Sequence, residues 1–299
     1  MELEYNNKKE KNMKTMVGLM AFVMATLLAS SCSQQHTVGS LWGGGKRVKA
    51  SKVYVTKEMK VGDFDRLQVT GGADVEYTQT AGSPRVEVYT SDNIVELLDI
   101  RVKNGTLCVG FKKNVNVSYD KLLVRISSET LDGISVAGSG DVKLMNGLKT
   151  EQLKVSVSGS GDIDASRIEC ASLAVSIAGS GDIECEDVVC NELEASVSGS
   201  GDMELKNVSG GRVEVSVAGS GTVELSGRAQ EAAYSVAGSG DIYAKGLQTE
   251  RATVGISGSG DVECYATDYL KVRTSGSGTV AYKGNPEVDY PKKGLKKID

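Results

Sequence analysis

From Leu131 onward the chain alternates apolar and polar residues with period two, and a glycine-rich corner interrupts the alternation at a near-constant interval. "SVSGSGDIDA" at 156–165 is followed by "SIAGSGDIEC", "SVSGSGDMEL", "SVAGSGTVEL" and "SVAGSGDIYA". The first glycine of each corner is Gly138, Gly159, Gly179, Gly199, Gly219, Gly238, Gly258 and Gly276, spaced 21, 20, 20, 20, 19, 20 and 18 residues. Two residues before it stand Val136, Val157, Ile177, Val197, Val217, Val236, Ile256 and Thr274; four after it stand Val142, Ile163, Ile183, Met203, Val223, Ile242, Val262 and Val280. These columns must face inward, and the residues between them outward. Outward on one arm lie Ser135, Ser156, Ser176, Ser196, Ser216 and Ser235; on the other, Asp164, Glu184, Glu204, Glu224 and Glu263. A fixed period of about 20 over eight copies predicts a solenoid, and period-two patterning excludes a helical one. The expected fold is all-β: a parallel β-solenoid of about 20-residue coils, each a strand, a GSG corner, a second strand and a variable return. At ~4.8 Å per rung, eight coils extend about 40 Å.

Before the repeats the pattern is less regular. "FDRLQVTGGADVEYTQ" (64–79) is an imperfect copy of the unit, with Gly71, Gly72 and Asp74 at its turn. "PRVEVYT" and "TLCVGFK" alternate like strands, and Asn-Gly in "VKNGTL" signals a hairpin turn. "SDNIVELLD" predicts a helix of at most two turns with Asn93 as N-cap and Glu96 three residues on. The expected division is a targeting segment at 1–31, a flexible tether at 32–60, a β-rich capping part at 61–131, the solenoid at 132–283 and a tail at 284–299. No proline interrupts the repeats; Pro286 and Pro291 follow them and can blunt an exposed edge.

The first residues change the picture of where the chain resides. Lys8, Lys9, Lys11 and Lys14 precede the apolar "MVGLMAFVMATLLA" (16–29), and "LLASSC" places small residues before Cys32. This order resembles a bacterial lipoprotein signal, in which the cysteine is acylated and becomes the new amino terminus; Met13 offers an alternative start. The expected partner is therefore a membrane reached through lipid on Cys32. Ser33 in place of the aspartate that retains some lipoproteins at the inner membrane favours the outer membrane, with periplasmic and surface orientations both open. The formal net charge of −5 and the lack of a long basic run exclude a nucleic-acid surface. One histidine, His36, argues against His-ligated metals and His-dependent nucleophiles. The five cysteines after Cys32 are odd in number and form no C-x-x-C, so buried thiols acting as small hydrophobes are expected.

An acid follows nearly every corner: Asp141, Asp162, Asp182, Asp202, Asp241 and Asp261. These carboxylates can bind cations along the stack, or they can accept hydrogen bonds from turn N–H groups and close the corner. Magnitudes favour the second. Like charges one rung apart repel by ~0.9 kcal/mol in water, and a charge-assisted hydrogen bond returns about 1.5–3 kcal/mol. Thr222 and Thr279 hold the same position in two coils and are poor calcium ligands. No cofactor and no metal is expected.

The repeated GSGD[VI], preceded by "FDRLQVTGGADVEY" and "LDGISVAGSGDV", resembles the head GIN domain family of autotransporter adhesins, over about Phe64 to Tyr282. The resemblance implies a β-helical fold, a cell-envelope setting and an adhesive role, and carries over no catalytic residues. A non-catalytic envelope module binding a polysaccharide or protein ligand is the expected function. The alternatives are a polysaccharide lyase or hydrolase on a β-helix, or a purely structural envelope protein. The acids form repeated columns where a glycosidase needs one special pair, which argues for scaffold over catalysis.

Overall fold

The structure, a computed structural model, describes residues 46–290 and 295–299. It is an all-β parallel solenoid, as the periodicity requires. A representative coil has strands at Gln152–Gly159, Ile163–Ala165 and Ile168–Glu169, each paired in parallel with its equivalent one coil on. The register is unshifted along the corner-flanking strands: Ser156 faces Ser176, Val157 faces Ile177, and Ile163 faces Ile183. Both apolar columns therefore point into the lumen; Val197 and Met203 are each 1% exposed. Each such side chain contributes about 1.5–3 kcal/mol of burial, and the β-branched majority suits a pleated, half-buried surface. Thr274, last in its column, is only half-buried.

The corners explain the glycines. The carbonyl of Gly138 accepts from Ser160 N at 2.8 Å and Gly161 N at 3.1 Å, so it points into the corner above. A Cβ on Gly159 would lie 2.2 Å from that carbonyl oxygen, where no side chain fits, and Gly159 has φ +143°. The other glycine is equally constrained: a Cβ on Gly161 would meet Gly140 O at 2.2 Å.

The first coil begins before the expected boundary. Among the described residues nine strands precede the regular repeats: β1 (Lys46–Lys49), β2 (Tyr54–Met59), β3 (Arg66–Gly71), β4 (Asp74–Gln79), β5 (Arg85–Ser91), β6 (Leu98–Lys103), β7 (Thr106–Phe111), β8 (Val115–Ser118) and β9 (Leu122–Ser128). Strands β3 and β4 stack directly on Gly133–Gly138 and Val142–Leu144, Gly71 under Gly138, so 64–79 is a coil of the solenoid and not part of a separate cap. The 80–131 insertion supplies the cap. β6 and β7 form an antiparallel hairpin whose turn residues, Asn104 and Gly105, have φ +51° and +75°, as Asn-Gly predicts. β7 lies on β3, while β9, β5 and β2 extend the sheet beyond β4.

Three further expectations are corrected. The 32–60 stretch is not tether throughout, because β1 pairs with β8 and β2 pairs with β5. "SDNIVELLD" yields one 3-10 turn, Val95–Leu97, with Ile94 at its N-cap. Asn93 ties the chain to the segment before β2 instead: its Oδ1 accepts from Ser51 N and its Nδ2 donates to Lys49 O, both at 2.9 Å. The described residues of the 284–299 tail add a last partial coil. Glu287–Asp289 pairs with Tyr269–Lys271, Leu295–Lys297 pairs with Val280–Tyr282, and Tyr290 and Leu295 pack on the core end.

One inward position is out of keeping. In the column Val215, Tyr234, Val254 the tyrosine is 2% exposed, and its hydroxyl has no hydrogen-bond partner among the described residues. Small inward residues in the same coil, Ala229, Ala232 and Ala244, balance its volume. Burial pushes the phenol far above its ordinary pKa, so it stays protonated. Removing the unpaired hydroxyl in Tyr234→Phe is expected to raise stability by about 1 kcal/mol; a lowered denaturation midpoint would show that an enclosed water pairs with it. Val197→Asp is expected to unfold the solenoid by placing an unpaired carboxylate in the lumen, whereas Ser196→Asp, one residue away on the outer surface, is expected to shift the midpoint little. Equal losses would place the register one residue off.

Candidate functional site

Three outer features carry the polar chemistry: the acid column, the serine face and a groove at the capped end. The acid column is bonded between coils in two runs, from Asp141 to Thr222 and from Asp241 to Thr279. Asp141 Oδ1 accepts from Asp162 N at 3.0 Å, Asp162 Oδ1 from Asp182 N at 2.8 Å, Asp182 Oδ1 from Asp202 N at 2.8 Å and Asp202 Oδ1 from Thr222 N at 2.9 Å. Asp241 Oδ1 accepts from Asp261 N at 2.7 Å. Asp261 Oδ1 takes both the N–H and the hydroxyl of Thr279, each at 2.8 Å. Each carboxylate therefore serves the coil that follows, not its own corner, which corrects the turn-closing geometry while retaining its chemistry. At Thr222 the ladder is interrupted: the hydroxyl is not the acceptor of the next coil, and Asp241 N donates to Gly221 O at 3.2 Å instead. Among the described residues no three His, Cys, Asp or Glu side chains converge as a metal-binding group.

The serine face is a ladder of small residues. Ser135, Ser156, Ser176, Ser196, Ser216 and Ser235 stack in register, one per coil. Beside them run Ala137, Ser158, Ala178, Ser198, Ala218 and Ala237. Ser176 Oγ donates to Val155 O at 3.4 Å, one coil back, leaving the rest of that hydroxyl to solvent. Opposite signs meet across coils on the other faces: Lys206 lies between Glu186 (3.2 Å) and Glu204 (3.1 Å), and Lys245 pairs with Glu263 at 2.8 Å. Exposed pairs of this kind contribute about 0–1 kcal/mol each.

Cys170, Cys185, Cys190 and Cys264 are structural. Cys170 follows the paired residues Glu169 and Val189 and so lies beneath Cys190, with neither thiol bridged. Burial pushes Cys170 up to about 11 and Cys185, Cys190 and Cys264 up to about 12, so these thiols stay protonated and are not nucleophiles. Cys32 and His36 lie outside the described residues.

The third feature has no counterpart in the repeat. A shallow groove of about 390 Å³ lies on the outer face of the β2–β5–β9–β4 sheet, continued by Met145. Cross-strand register brings its charges together: Glu58 lies opposite Glu87, and Arg125 lies between Glu87 and Glu76. Arg125 Nη1 meets Glu87 Oε1 at 3.0 Å, its Nε meets Glu76 Oε2 at 3.1 Å, and Arg85 Nε lies 3.6 Å from Glu58 Oε1. Hydrogen bonds that Arg125 donates to the two carboxylates, Glu87 foremost, hold its guanidinium above its already high pKa. Met145 is 49% exposed. The column containing it otherwise reads Thr78, Ser166, Glu186 and Lys206. The sequence pattern did not mark these groove residues, because the antiparallel insertion that assembles them has no period; the apolar Met145 in a polar column was the available signal.

The sequence matches the family described as "Putative auto-transporter adhesin, head GIN domain" over residues 63–207 and 174–286. The chain belongs to this head GIN domain family and is an adhesin-like envelope or surface protein on a β-solenoid scaffold. Among solved structures it is similar to a putative lipid binding protein from Parabacteroides distasonis, at 27% identity and TM-score 0.66, covering 85% of this chain and 100% of that one. It is also similar to a putative adhesin from the same organism, at 26% identity, TM-score 0.66 and the same coverage. A putative adhesin from Parabacteroides merdae matches at 27% identity and TM-score 0.65, covering 85% of this chain and 99% of that one. No curated protein matches the chain.

The inter-coil role of the acids makes a direct prediction. Asp182→Asn keeps an amide oxygen for Asp202 N and is expected to cost little, while Asp182→Ala leaves that donor without its acceptor and is expected to cost about 1 kcal/mol. Thermal unfolding is expected to be the same in excess chelator and in millimolar calcium. A site filled only in the folded state, at a hundredfold excess over its dissociation constant, would add about 2.7 kcal/mol, so a rise of several degrees with calcium would make the column a metal site.

Proposed function

We propose that this protein is a non-catalytic binding module of the cell envelope, held to the outer membrane by lipid on Cys32 and presenting its solenoid to a polysaccharide or protein ligand. The observation that carries the reading is the in-register serine face, which repeats one small polar surface element per coil along the solenoid. Such a surface suits many weak, equivalent contacts with an extended partner, and linked contacts gain affinity through effective concentration. Membership in an adhesin-like family supports it. One solved relative is named a putative lipid binding protein. Here lipid is assigned to the anchor and not to the lumen, because the inward columns are stacked and closed from solvent.

Two measurements test this. Cells carrying the full chain are expected to retain more of a glycan- or protein-coated surface than cells lacking it; equal retention would remove the binding role. Cys32→Ala is expected to move the protein from the detergent-rich to the aqueous phase on partitioning, and residues 1–31 are expected to be missing from the mature wild-type chain by mass spectrometry. Persistence of the variant in the membrane fraction would overturn the anchor.

A further inference from the structure

We infer that the groove on the β2–β5–β9–β4 sheet is a binding site for a neutral saccharide, a ligand of vicinal hydroxyls on an apolar ring. This names the ligand class of one site and rests on the reading of the protein as a binding module. At about 390 Å³ the groove falls at the small end of ligand pockets, roughly 300–1,000 Å³.

Two observations point to a polyol, and two bear on the competing ligands. Arg125 between Glu76 and Glu87, with Arg85 beside Glu58, sets donors and acceptors side by side in positions fixed by cross-strand register. Adjacent hydroxyls, each both donor and acceptor, can bridge such pairs without breaking them. Met145 adds a half-exposed apolar side chain at the groove margin, in a column that is polar in the following coils, and offers a surface for the C–H face of a sugar ring. Within the groove β5 is paired on both sides by β2 and β9, and β9 by β5 and β4, so an extended peptide could add a strand only at the outer edge of β2, two strands away from Arg125. Three carboxylates and two guanidinium groups leave the lining one negative charge, which opposes a polyanionic glycan.

The test uses the full chain in detergent on surfaces carrying maltohexaose, mannohexaose or chitohexaose, with polygalacturonate as the anionic counterpart and gelatin as the protein probe. The expected result is capture by at least one neutral oligosaccharide, lost at least tenfold in Arg125→Ala and in Met145→Ala. Arg212→Ala, which removes a similar exposed pair with Glu214 on the solenoid, is expected to bind like wild type. Unchanged thermal midpoints would show that the variants are folded. Neutral-glycan capture that both groove variants retain overturns the groove and leaves the binding module standing on another face. Preference for polygalacturonate, or loss of gelatin capture in Arg125→Ala without glycan binding, also overturns the saccharide assignment. If wild type is captured by none of these surfaces, the groove assignment falls. The wider binding reading falls separately if cell retention is also unchanged.

Discussion

Neighbouring corners approach so closely that one carbonyl must serve two donors. Gly138 O bonds the N–H groups of Ser160 and Gly161, and the same contact recurs from Gly159 O to Ser180 and Gly181 and onward through the stack. This contact leaves no space for a Cβ at either glycine. It also fixes the register of both flanking strands, so the valine columns meet in the lumen and the serines meet outside. The following aspartate extends the same inter-coil bonding by one residue. Corner, column and ladder are thus consequences of a single spacing between backbones.

That spacing is why so much of the fold was legible in the sequence. A residue that must match its neighbour one coil away repeats in the text, so Gly159, Val157, Ser156 and Asp162 announced their places. Where the structure leaves the repeat, the legibility ends. Strand β5 runs antiparallel to both of its partners, β2 and β9, and nothing in the spacing of Arg85, Glu87 and Arg125 indicates that they share a face. Asn93 shows the limit of local reasoning: it was read as an N-cap, but Ile94 holds that position, and the Asn93 side chain accepts instead from Ser51 N, 42 residues earlier in sequence. The direction of the aspartate bonds was hidden for a similar reason, since a carboxylate beside a turn looks the same whether it serves its own coil or the next.

The molecule divides its work between repetition and exception. The repeated faces offer many equal contacts, each individually weak. The inserted sheet offers one non-equivalent surface, where paired Arg and Glu groups and an exposed methionine occur together. A binding protein gains from both: extended surfaces set reach and avidity, and a unique concavity sets chemical preference.

The two ends of the stack are closed unequally. At the amino-terminal end β5, β6, β7 and β9 lie over the first coil, with an antiparallel hairpin among them. At the other end, among the described residues, Glu287–Asp289 and Leu295–Lys297, each three residues long, cover the last coil. In an assembly where each unit touches only its neighbours, opening proceeds by loss of terminal units. Unravelling therefore has a direction: it starts at the carboxyl end and advances coil by coil toward the insertion. Under shear or proteolysis such a protein would shorten before it failed, shedding distal coils while the groove-bearing end stayed folded.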